Sequence, residues 1–275
     1  MFTTLIDIES LLDGYKNQDW LVIDVRYDLA NKDAGKKAYL KGHIPGAIYV
    51  DLHDDLSRPP ATNKGRHPLP TEDTMNSLFS ELGINEGTQV IVYDNAFGAF
   101  AARLWWMLRH MQHQRVAVLD GGWQAWEAAA AQIDSKNEQL NRSNFKKSAR
   151  KQELVDIKQI ENVDLLIDSR EPARYRGELE PIDKAAGHIP GAINRFWKAN
   201  LAENGCFKEK TQLQTEFEQI FENTPAKESV FYCGSGVTAC HNLLAVVHAG
   251  LEQPKLYAGS WSEWSSDASN PVATA

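Results

Sequence analysis

The chain repeats itself once, and this repeat limits the fold more than any other feature of the sequence. Because the order of the repeated segments is kept and only loop lengths change, the sequence predicts a duplicated domain. The matching pairs are LVIDVR (21–26) with LLIDSR (165–170), GHIPGAI at 42–48 and again at 187–193, QVIVYD (89–94) with SVFYC (229–233), and VAVLDGGWQAW (116–126) with PKLYAGSWSEW (254–264).

The residues between the two copies, 132–152, are polar and have almost no apolar periodicity. Such a composition is typical of a linker. We therefore predict an N-terminal domain over residues 1–131, a linker over 132–152 and a C-terminal domain over 153–275.

Within each copy, short runs of Val, Ile and Leu end in Asp or Gly and alternate with helix-like segments. This pattern predicts an α/β fold in which a buried parallel sheet carries helices on both faces. A helix is also predicted after the third strand of the second copy, where Val237, Cys240, Leu244 and Val247 recur at helical spacing. The predicted strands are residues 21–25, 47–50, 90–93 and 116–119, and then 165–167, 192–194, 229–232 and 255–257.

The composition argues against several kinds of function. Apolar residues make up 43% of the chain, and a net charge of −8 without a dense block of Lys and Arg argues against a nucleic-acid partner. We see no export leader, no apolar run long enough for a membrane and no paired cysteine spacing, and expect a cytoplasmic protein without membrane partners. No metal-ligand spacing and no phosphate-binding glycine motif occur, so neither a metal nor a cofactor is expected.

Cys233 stands where a predicted strand ends and a helix begins, in the sequence CGSGVTA (233–239). Ligands of open α/β sheets bind at such strand ends, and the amides that precede a helix favour an anion. Gly234 and Gly236 allow the loop to curl closely around the sulfur. Cys233 is therefore the candidate nucleophile, whereas Cys240 fits the buried stripe of the helix and Cys206 reads as a surface thiol.

The first copy has Asp94 where the second copy has Cys233. A carboxylate cannot act as a thiol nucleophile, so the N-terminal domain is predicted to be inactive. A cysteine phosphatase would need an arginine six residues after its nucleophile to hold phosphate, and this chain has Ala239 there. The loop therefore argues against the hydrolysis of phosphate esters.

The CGSGVTA loop, the paired GHIPGA and DxR segments and the terminal GSWSEW together resemble the two-domain rhodanese-type sulfurtransferases. The resemblance covers nearly the whole chain and implies two tandem rhodanese-like domains. It also implies that Cys233 carries sulfur as a persulfide, which Gly234, Ser235, Gly236, Val237 and Thr238 surround and stabilise. The partners implied are a small sulfur donor and a thiol or cyanide acceptor, with a thioredoxin-like protein as one candidate acceptor.

The loop sequence bears on the sulfur donor. Family members that use thiosulfate resemble one another in a CRKG loop, whereas those that use 3-mercaptopyruvate have CGSG or CGTG, which Gly234 and Ser235 match. An uncharged loop holds a dianion less well, and this favours 3-mercaptopyruvate. Thiosulfate:cyanide transfer stays open as an alternative, as does a non-catalytic rhodanese-like module that carries sulfur or binds a partner.

The resemblance also implies residues that bind the donor. Arg174 lies where the family has its substrate arginine, suited to grip a carboxylate. A second arginine, expected before GHIPG, is missing, because Ile182 or Asp183 stands in its place. Lys184 and Arg195 are the candidate replacements.

A serine–histidine–aspartate relay is a further candidate feature. Some mercaptopyruvate-type enzymes resemble one another in setting the loop serine beside a histidine and an aspartate, here Ser235, His43 and Asp33. His43 has a twin, His188, in the other GHIPG motif. A structural role in both turns is therefore the favoured interpretation of His43.

Overall fold

The computed structural model describes residues 1–61, 64–136 and 141–275 of the chain. These residues form two compact units, and each unit contains one copy of the repeat. Unit 1 consists of Met1–Ser57, Pro70–Arg150 and Asn204–Cys206, and unit 2 of Arg58–Leu69, Lys151–Glu203 and Phe207–Ala275.

Unit 1 alternates strands and helices along the chain. Its elements are β1 (Leu5–Ile6), α1 (Ile8–Gly14), β2 (Trp20–Asp24), α2 (Ala34–Lys41), β3 (Ile48–Tyr49), α3 (Glu72–Glu81), β4 (Gln89–Tyr93), α4 (Ala101–His110), β5 (Val116–Leu119) and α5 (Gly122–Ala128).

Unit 2 repeats this alternation with shorter elements. They are β6 (Leu166–Asp168), α6 (Pro172–Arg176), β7 (Ile193–Asn194), α7 (Lys210–Phe221), β8 (Val230–Tyr232), α8 (Ala239–His248), β9 (Lys255–Leu256) and α9 (Ser260–Trp264). Short 3₁₀ helices cover Lys151–Glu153, Ile157–Asn162, Trp197–Asn200 and Ala226–Glu228.

Both sheets are parallel and share one topology. The strand order is β1-β5-β4-β2-β3 in unit 1 and β7-β6-β8-β9 in unit 2. A parallel bridge between Leu154 and Leu256 in unit 2 takes the place that β1 has beside β5. Each predicted strand is present within one residue at either end, and the two-residue strand β1 was not predicted.

Helices cover both faces of the sheet, as the central strand β4 shows. All five of its residues are buried, so the strand is a continuous apolar run apart from Gln89. Ile91 and Tyr93 pack in one cluster with Leu11 of α1 and Trp126 of α5. Val90 and Val92 alternate with these two residues and face the opposite side of the sheet, where α4 contacts the strand. The predicted α/β fold is confirmed.

The tryptophans of the repeat serve mainly as core side chains. Trp105, Trp106, Trp126 and Trp261 are fully buried, and each such burial contributes about 1.5–3 kcal/mol. These four side chains are therefore packing residues of the core.

The repeated DxR segment is a buried clip between a strand and the GHIPG turn. In unit 1, Arg26 binds the Asp24 carboxylate at 2.6 Å and donates to the Gly42 carbonyl oxygen at 2.6 Å. Its guanidinium also lies 4.3 Å above the Trp123 ring. The duplication of this motif therefore reflects structure rather than chemistry. The corresponding residues of unit 2 are Asp168, Arg170, Gly187 and Trp261.

The later part of the predicted linker, residues 141–150, packs on unit 1. The Ser143 amide donates to the Ser80 carbonyl oxygen at 2.8 Å, and the Phe145 ring contacts Phe79 edge-on. Residues 137–140 of this linker lie outside the described residues. None of the helices in the described part of the chain has the length and apolar character needed to cross a bilayer.

Candidate active site

The Cys233 loop lies at the carboxyl end of β8 and leads directly into α8. Cys233 is 1% exposed. Its amide donates to Ser260 Oγ at 3.1 Å, and its carbonyl oxygen accepts from the Trp261 amide at 3.0 Å. The Gly234 carbonyl oxygen accepts from the Ser262 amide at 2.9 Å. The start of α9 therefore fixes the backbone on which the thiol stands.

Gly236 lets the loop turn tightly behind the thiol. Its φ is +75°, a left-handed conformation that side chains with a Cβ rarely adopt. A methyl group built on it would approach the Ala258 carbonyl oxygen too closely for any residue other than glycine. The positive φ and the nearby Ala258 carbonyl oxygen are therefore the two reasons why the loop needs glycine at position 236.

Several amides of the loop that follows Cys233 have no protein partner among the described residues. In the described part of the chain, the N–H groups of Ser235, Val237 and Thr238 donate to no protein acceptor. They precede α8, so the positive end of the helix dipole stands behind them. An arrangement of this kind stabilises negative charge on a sulfur atom at the loop centre.

In the equivalent loop of unit 1 such amides are paired with a carboxylate. The buried Asp94 carboxylate accepts hydrogen bonds from the amides of Ala96, Gly98, Phe100 and Ala101 at 2.8–2.9 Å. Burial raises the pKa of Asp94, and the four N–H groups oppose that rise. The carboxylate is thus the internal ligand of its own loop.

Two guanidinium groups lie beside the Cys233 loop. A methyl group built on Gly234 would be 3.0 Å from Arg66 Nη2 and 3.5 Å from Arg174 Nη1. Burial lowers the pKa of Arg66, while the charge on Cys233 raises it and that on Arg174 lowers it. The loop itself carries no charged side chain, but the site around it is charged.

Two carboxylates of the ELEPID stretch hold these arginines. Glu180 binds Arg174 at 2.7 Å and Arg170 at 3.3 Å. Asp183 forms an ion pair with Arg66 and also binds Arg174 at 3.1 Å. The side chains of Glu180 and Asp183 are only 3% and 5% exposed, so solvent screens these pairs weakly.

Ser235 has a histidine partner, which is His67. The His67 Nδ1 and Ser235 Oγ atoms are 2.8 Å apart, and both residues are buried. A hydrogen-bonded Ser–His pair next to a thiol can move a proton. The sequence analysis had named His43 for this place.

His43 and Asp33 instead make local contacts. The His43 ring stacks on Tyr39 at 4.0 Å and its Nδ1 lies 2.8 Å from the Tyr39 carbonyl oxygen. Its twin His188 has the same two contacts with Tyr175. Asp33 precedes α2, and its exposed carboxylate lies 3.9 Å from the Lys37 ammonium. These contacts match the structural interpretation of His43.

The structure also gives other partners to the two predicted replacement cations. Arg195 pairs with Glu216 at 2.5 Å and lies over the Phe217 ring. Lys184 is exposed, with its ammonium 3.4 Å from the Ser266 carbonyl oxygen. Among the described residues, the second guanidinium beside Gly234 belongs to Arg66, a residue that the sequence analysis did not name.

The other two cysteines lie in different surroundings. Cys240 is fully buried on α8, and its thiol lies 3.5 Å from the Gly236 carbonyl oxygen, as expected of a packing residue. Cys206 is partly exposed, and burial raises its pKa. All three cysteines are free thiols.

Sequence reasoning missed Arg66 and His67, which lie in GRHPLP (65–70). This segment precedes α3 in the first copy, yet residues 58–69 belong to unit 2. One signal was available, because the connection from β3 to α3 is longer than that from β7 to α7 and contains four of the chain's prolines. Long irregular connections of this kind often carry functional residues.

Each unit is a parallel α/β domain in which a loop at the end of a central strand leads into a helix. Unit 2 has a cysteine at the start of this loop and unit 1 has Asp94 there, and this arrangement is that of a pair of rhodanese-like domains. The family model for the rhodanese-like domain matches residues 7–129 and 150–267. The chain therefore belongs to the rhodanese family, and the predicted sulfurtransferase class is confirmed.

Known relatives with either sulfur donor in their names are similar to this chain. A probable 3-mercaptopyruvate sulfurtransferase of Pseudomonas aeruginosa is 41% identical, over 98% of each chain. The thiosulfate sulfurtransferase of Bos taurus is 32% identical, over 93% of this chain and 88% of its own. The solved structure of the Leishmania major 3-mercaptopyruvate sulfurtransferase has a TM-score of 0.85 at 30% identity, over 96% of this chain and 74% of its own.

Proposed function

We propose that the protein transfers sulfur from 3-mercaptopyruvate to a thiol or to cyanide through a persulfide on Cys233. The observation that carries this proposal is the buried Cys233 thiol in a loop with unpaired amides, with the Arg174 guanidinium beside Gly234. The amides suit a sulfur anion, and the guanidinium suits the donor's carboxylate.

In the first half-reaction, the Cys233 thiolate attacks the sulfur of 3-mercaptopyruvate. An S–S bond forms, the C–S bond breaks, and its electron pair goes to carbon as the enolate of pyruvate. The proton of the donor thiol ends on that carbon, which gives pyruvate and a Cys233 persulfide anion. Atoms and charge balance without an external oxidant or reductant.

The Ser235–His67 pair serves the proton transfer of this step. The hydroxyl and the imidazole are joined by a 2.8 Å hydrogen bond, and Ser235 is two residues from the thiol. In this proposal Ser235 passes the donor's proton to His67, and the pair returns it to the enolate carbon. Neutral histidine is suited to such a step near neutral pH.

In the second half-reaction, an acceptor removes the outer sulfur. A thiol gives its own persulfide, and cyanide gives thiocyanate, with the Cys233 thiolate restored in both cases. This is ping-pong chemistry. A small thiol or a thioredoxin-like protein is the proposed acceptor, in a reducing cytoplasm, which the three free cysteines favour.

The charge balance of the site favours 3-mercaptopyruvate over thiosulfate. Arg66 and Arg174 lie beside the loop, but Asp183 and Glu180 offset their charge. Once Cys233 is a thiolate, a second negative charge on the donor adds repulsion, so a monoanion is accommodated better than a dianion. Thiosulfate remains the second candidate donor, because relatives with both names are similar to the chain.

Mass spectrometry of the intact protein tests the persulfide. Incubation with 3-mercaptopyruvate should add the mass of one sulfur atom, and cyanide should remove it. Cys233→Ser should show no addition, whereas Cys206→Ser, which changes a partly exposed thiol, should behave like the unsubstituted protein. A mass that never changes with either donor would favour the non-catalytic module instead.

Steady-state kinetics then identifies the donor. We expect kcat/KM for 3-mercaptopyruvate to exceed that for thiosulfate at least tenfold, which corresponds to a difference of about 1.4 kcal/mol. The opposite order would make thiosulfate the donor.

A further inference from the structure

We propose that Arg66 is the second arm of the clamp that binds the donor's carboxylate, and that Asp183 is its positioning residue. This inference rests on the proposed function, because it assumes a donor with a carboxylate. It assigns a role to a segment, residues 58–69, that lies outside the motifs of the repeat.

The ion pairs leave at least one nitrogen of each arginine without an acceptor among the described residues. Asp183 takes Arg66 Nη1 and shares Arg174 Nη2, while Glu180 takes Nε and Nη2 of Arg174. Arg66 Nη2 and Arg174 Nη1 have no hydrogen-bond acceptor among the described residues. These same two nitrogens are the ones that face Gly234, at 3.0 and 3.5 Å from a methyl group built there.

Two N–H donors from different guanidiniums that face one spot match a carboxylate, with one oxygen on each arginine. The spot adjoins Gly234, the neighbour of the nucleophile. A donor whose carboxylate is held there has its sulfur within reach of Cys233 only if carboxylate and sulfur are a few bonds apart, as in a 3-mercapto-2-oxo acid.

Arg66 is held in place by both its backbone and its side chain. Its amide donates to Ser262 Oγ at 3.1 Å, next to the residues that fix the Cys233 loop. The Asp183 side chain is 5% exposed and that of Arg66 is 31% exposed, so the carboxylate of the pair is buried while the guanidinium stays partly accessible. A preformed guanidinium loses little conformational entropy when the donor binds.

The resemblance implies that the segment before GHIPG supplies an arginine that binds the donor. In this chain the ELEPID segment (178–183) instead supplies carboxylates that bind arginines. Ile182 or Asp183 stands where a second arginine was expected, and neither side chain can donate hydrogen bonds to a carboxylate as an arginine does. Asp183 binds Arg66 instead, so the positive charge reaches the site from another segment. Glu180 supports this arrangement, because its carboxylate also accepts from the amides of Ile182 and Asp183 at 3.1 and 3.0 Å.

The test compares Arg66→Ala with Arg176→Ala. Arg176 is a control arginine on α6 whose exposed side chain pairs with Glu178. Loss of one charged hydrogen bond corresponds to about a 10- to 100-fold effect. We expect Arg66→Ala to lower kcat/KM for 3-mercaptopyruvate by about this factor, through a higher KM. Thiosulfate has no carboxylate for the two arginines to bind, so its kcat/KM should fall by a smaller factor, which reflects only the lost positive charge. Arg66→Lys should recover part of the loss, and Asp183→Asn should reproduce part of it.

A binding measurement separates this inference from the proposed function. Pyruvate has the carboxylate but no sulfur, and its affinity for Cys233→Ser, measured by titration calorimetry, should fall by a similar factor when Arg66→Ala is added. If sulfur transfer fails but this loss is seen, the clamp stands and the function does not. The clamp is overturned if pyruvate does not bind to Cys233→Ser, if binding and KM are unchanged in Arg66→Ala, or if both donors lose equally.

Discussion

Asp94 should hold the loop of unit 1 in its fold, because its carboxylate is the acceptor for four buried amides. The four hydrogen bonds are 2.8–2.9 Å long and run to residues within seven positions of Asp94. The substitution Asp94→Ala removes the acceptor and leaves the amides facing a small space. Asp94→Asn keeps one oxygen and turns the other acceptor into a donor.

The expected magnitude follows from these bonds. Hydrogen bonds to a charged group contribute about 1.5–3 kcal/mol each, but water entering the vacated space and relief from burying a charge offset part of the loss. We expect Asp94→Ala to lower the free energy of unfolding by about 3–5 kcal/mol and Asp94→Asn by about 1–3 kcal/mol.

Hydrogen exchange followed by mass spectrometry measures this effect locally. Peptides that cover residues 95–101 should lose protection in Asp94→Ala, while peptides from unit 2 that cover residues 234–240 should not change. Urea unfolding gives the matching free energy. If Asp94→Ala stays within 1 kcal/mol of the unsubstituted protein and exchange at residues 95–101 is unaltered, the carboxylate is not what orders this loop.

Two other predictions test the fold of unit 2, which contains Cys233. Burial and the nearby Lys210 lower the pKa of His248 to about 4 from an ordinary value of about 6.5, so the unfolded chain binds more protons between these values and stability falls as the pH drops through this window. After allowance for solvent screening, urea unfolding at pH 7 and pH 4.5 should show about 1–2 kcal/mol of this loss, which His248→Gln should abolish; an equal loss in both proteins would contradict the assignment. Gly236→Ala should cost more than about 3 kcal/mol and prevent persulfide formation, whereas Gly191→Ala, also at positive φ but with open space around it, should cost about 1–2 kcal/mol and leave sulfur uptake intact. Similar unfolding free energies for the two glycine variants would show that the contact with the Ala258 carbonyl oxygen does not matter.

The sequence was sufficient for the central strands of both sheets because nearly all of their residues are buried. Such strands must be continuous apolar runs, and the duplication showed each run twice. The two-residue edge strands β3 and β7 could be predicted because they overlap the repeated GHIPGAI motif. The strand β1 (Leu5–Ile6) has no counterpart strand in the second copy, where only the Leu154–Leu256 bridge takes its place, so the repeat did not show it. The domain limits were harder to predict than the strands. Residues 58–69 belong to unit 2 and residues 204–206 to unit 1, and these assignments depend on packing against residues that are distant in the sequence.

The site was only partly predictable for the same reason. Cys233 and the glycines of its loop are local features, and a strand-to-helix junction is visible in the sequence. Arg66 and His67 meet their partners Asp183 and Ser235 across 117 and 168 positions, and no local spacing relates residues so far apart. Lys184 and Arg195 were the candidate second cations because they are close to Arg174 in the sequence. Arg66 is distant from Arg174 in the sequence, and only the fold brings it to Gly234.

Asp94 also indicates how the Cys233 loop can hold its intermediate. In aspartate the anionic oxygen is two bonds beyond Cβ, and in a cysteine persulfide the outer sulfur is likewise two bonds beyond Cβ. The amides around Asp94 are at positions two, four, six and seven after it, and α8 begins one residue sooner after Cys233 than α4 does after Asp94. The unpaired amides of Ser235 and Val237 are at positions two and four after Cys233, in register with the first two donors to Asp94. The same pattern of amides therefore serves an acceptor in both units: the Asp94 carboxyl group in unit 1 and, under the proposed mechanism, the persulfide on Cys233 in unit 2.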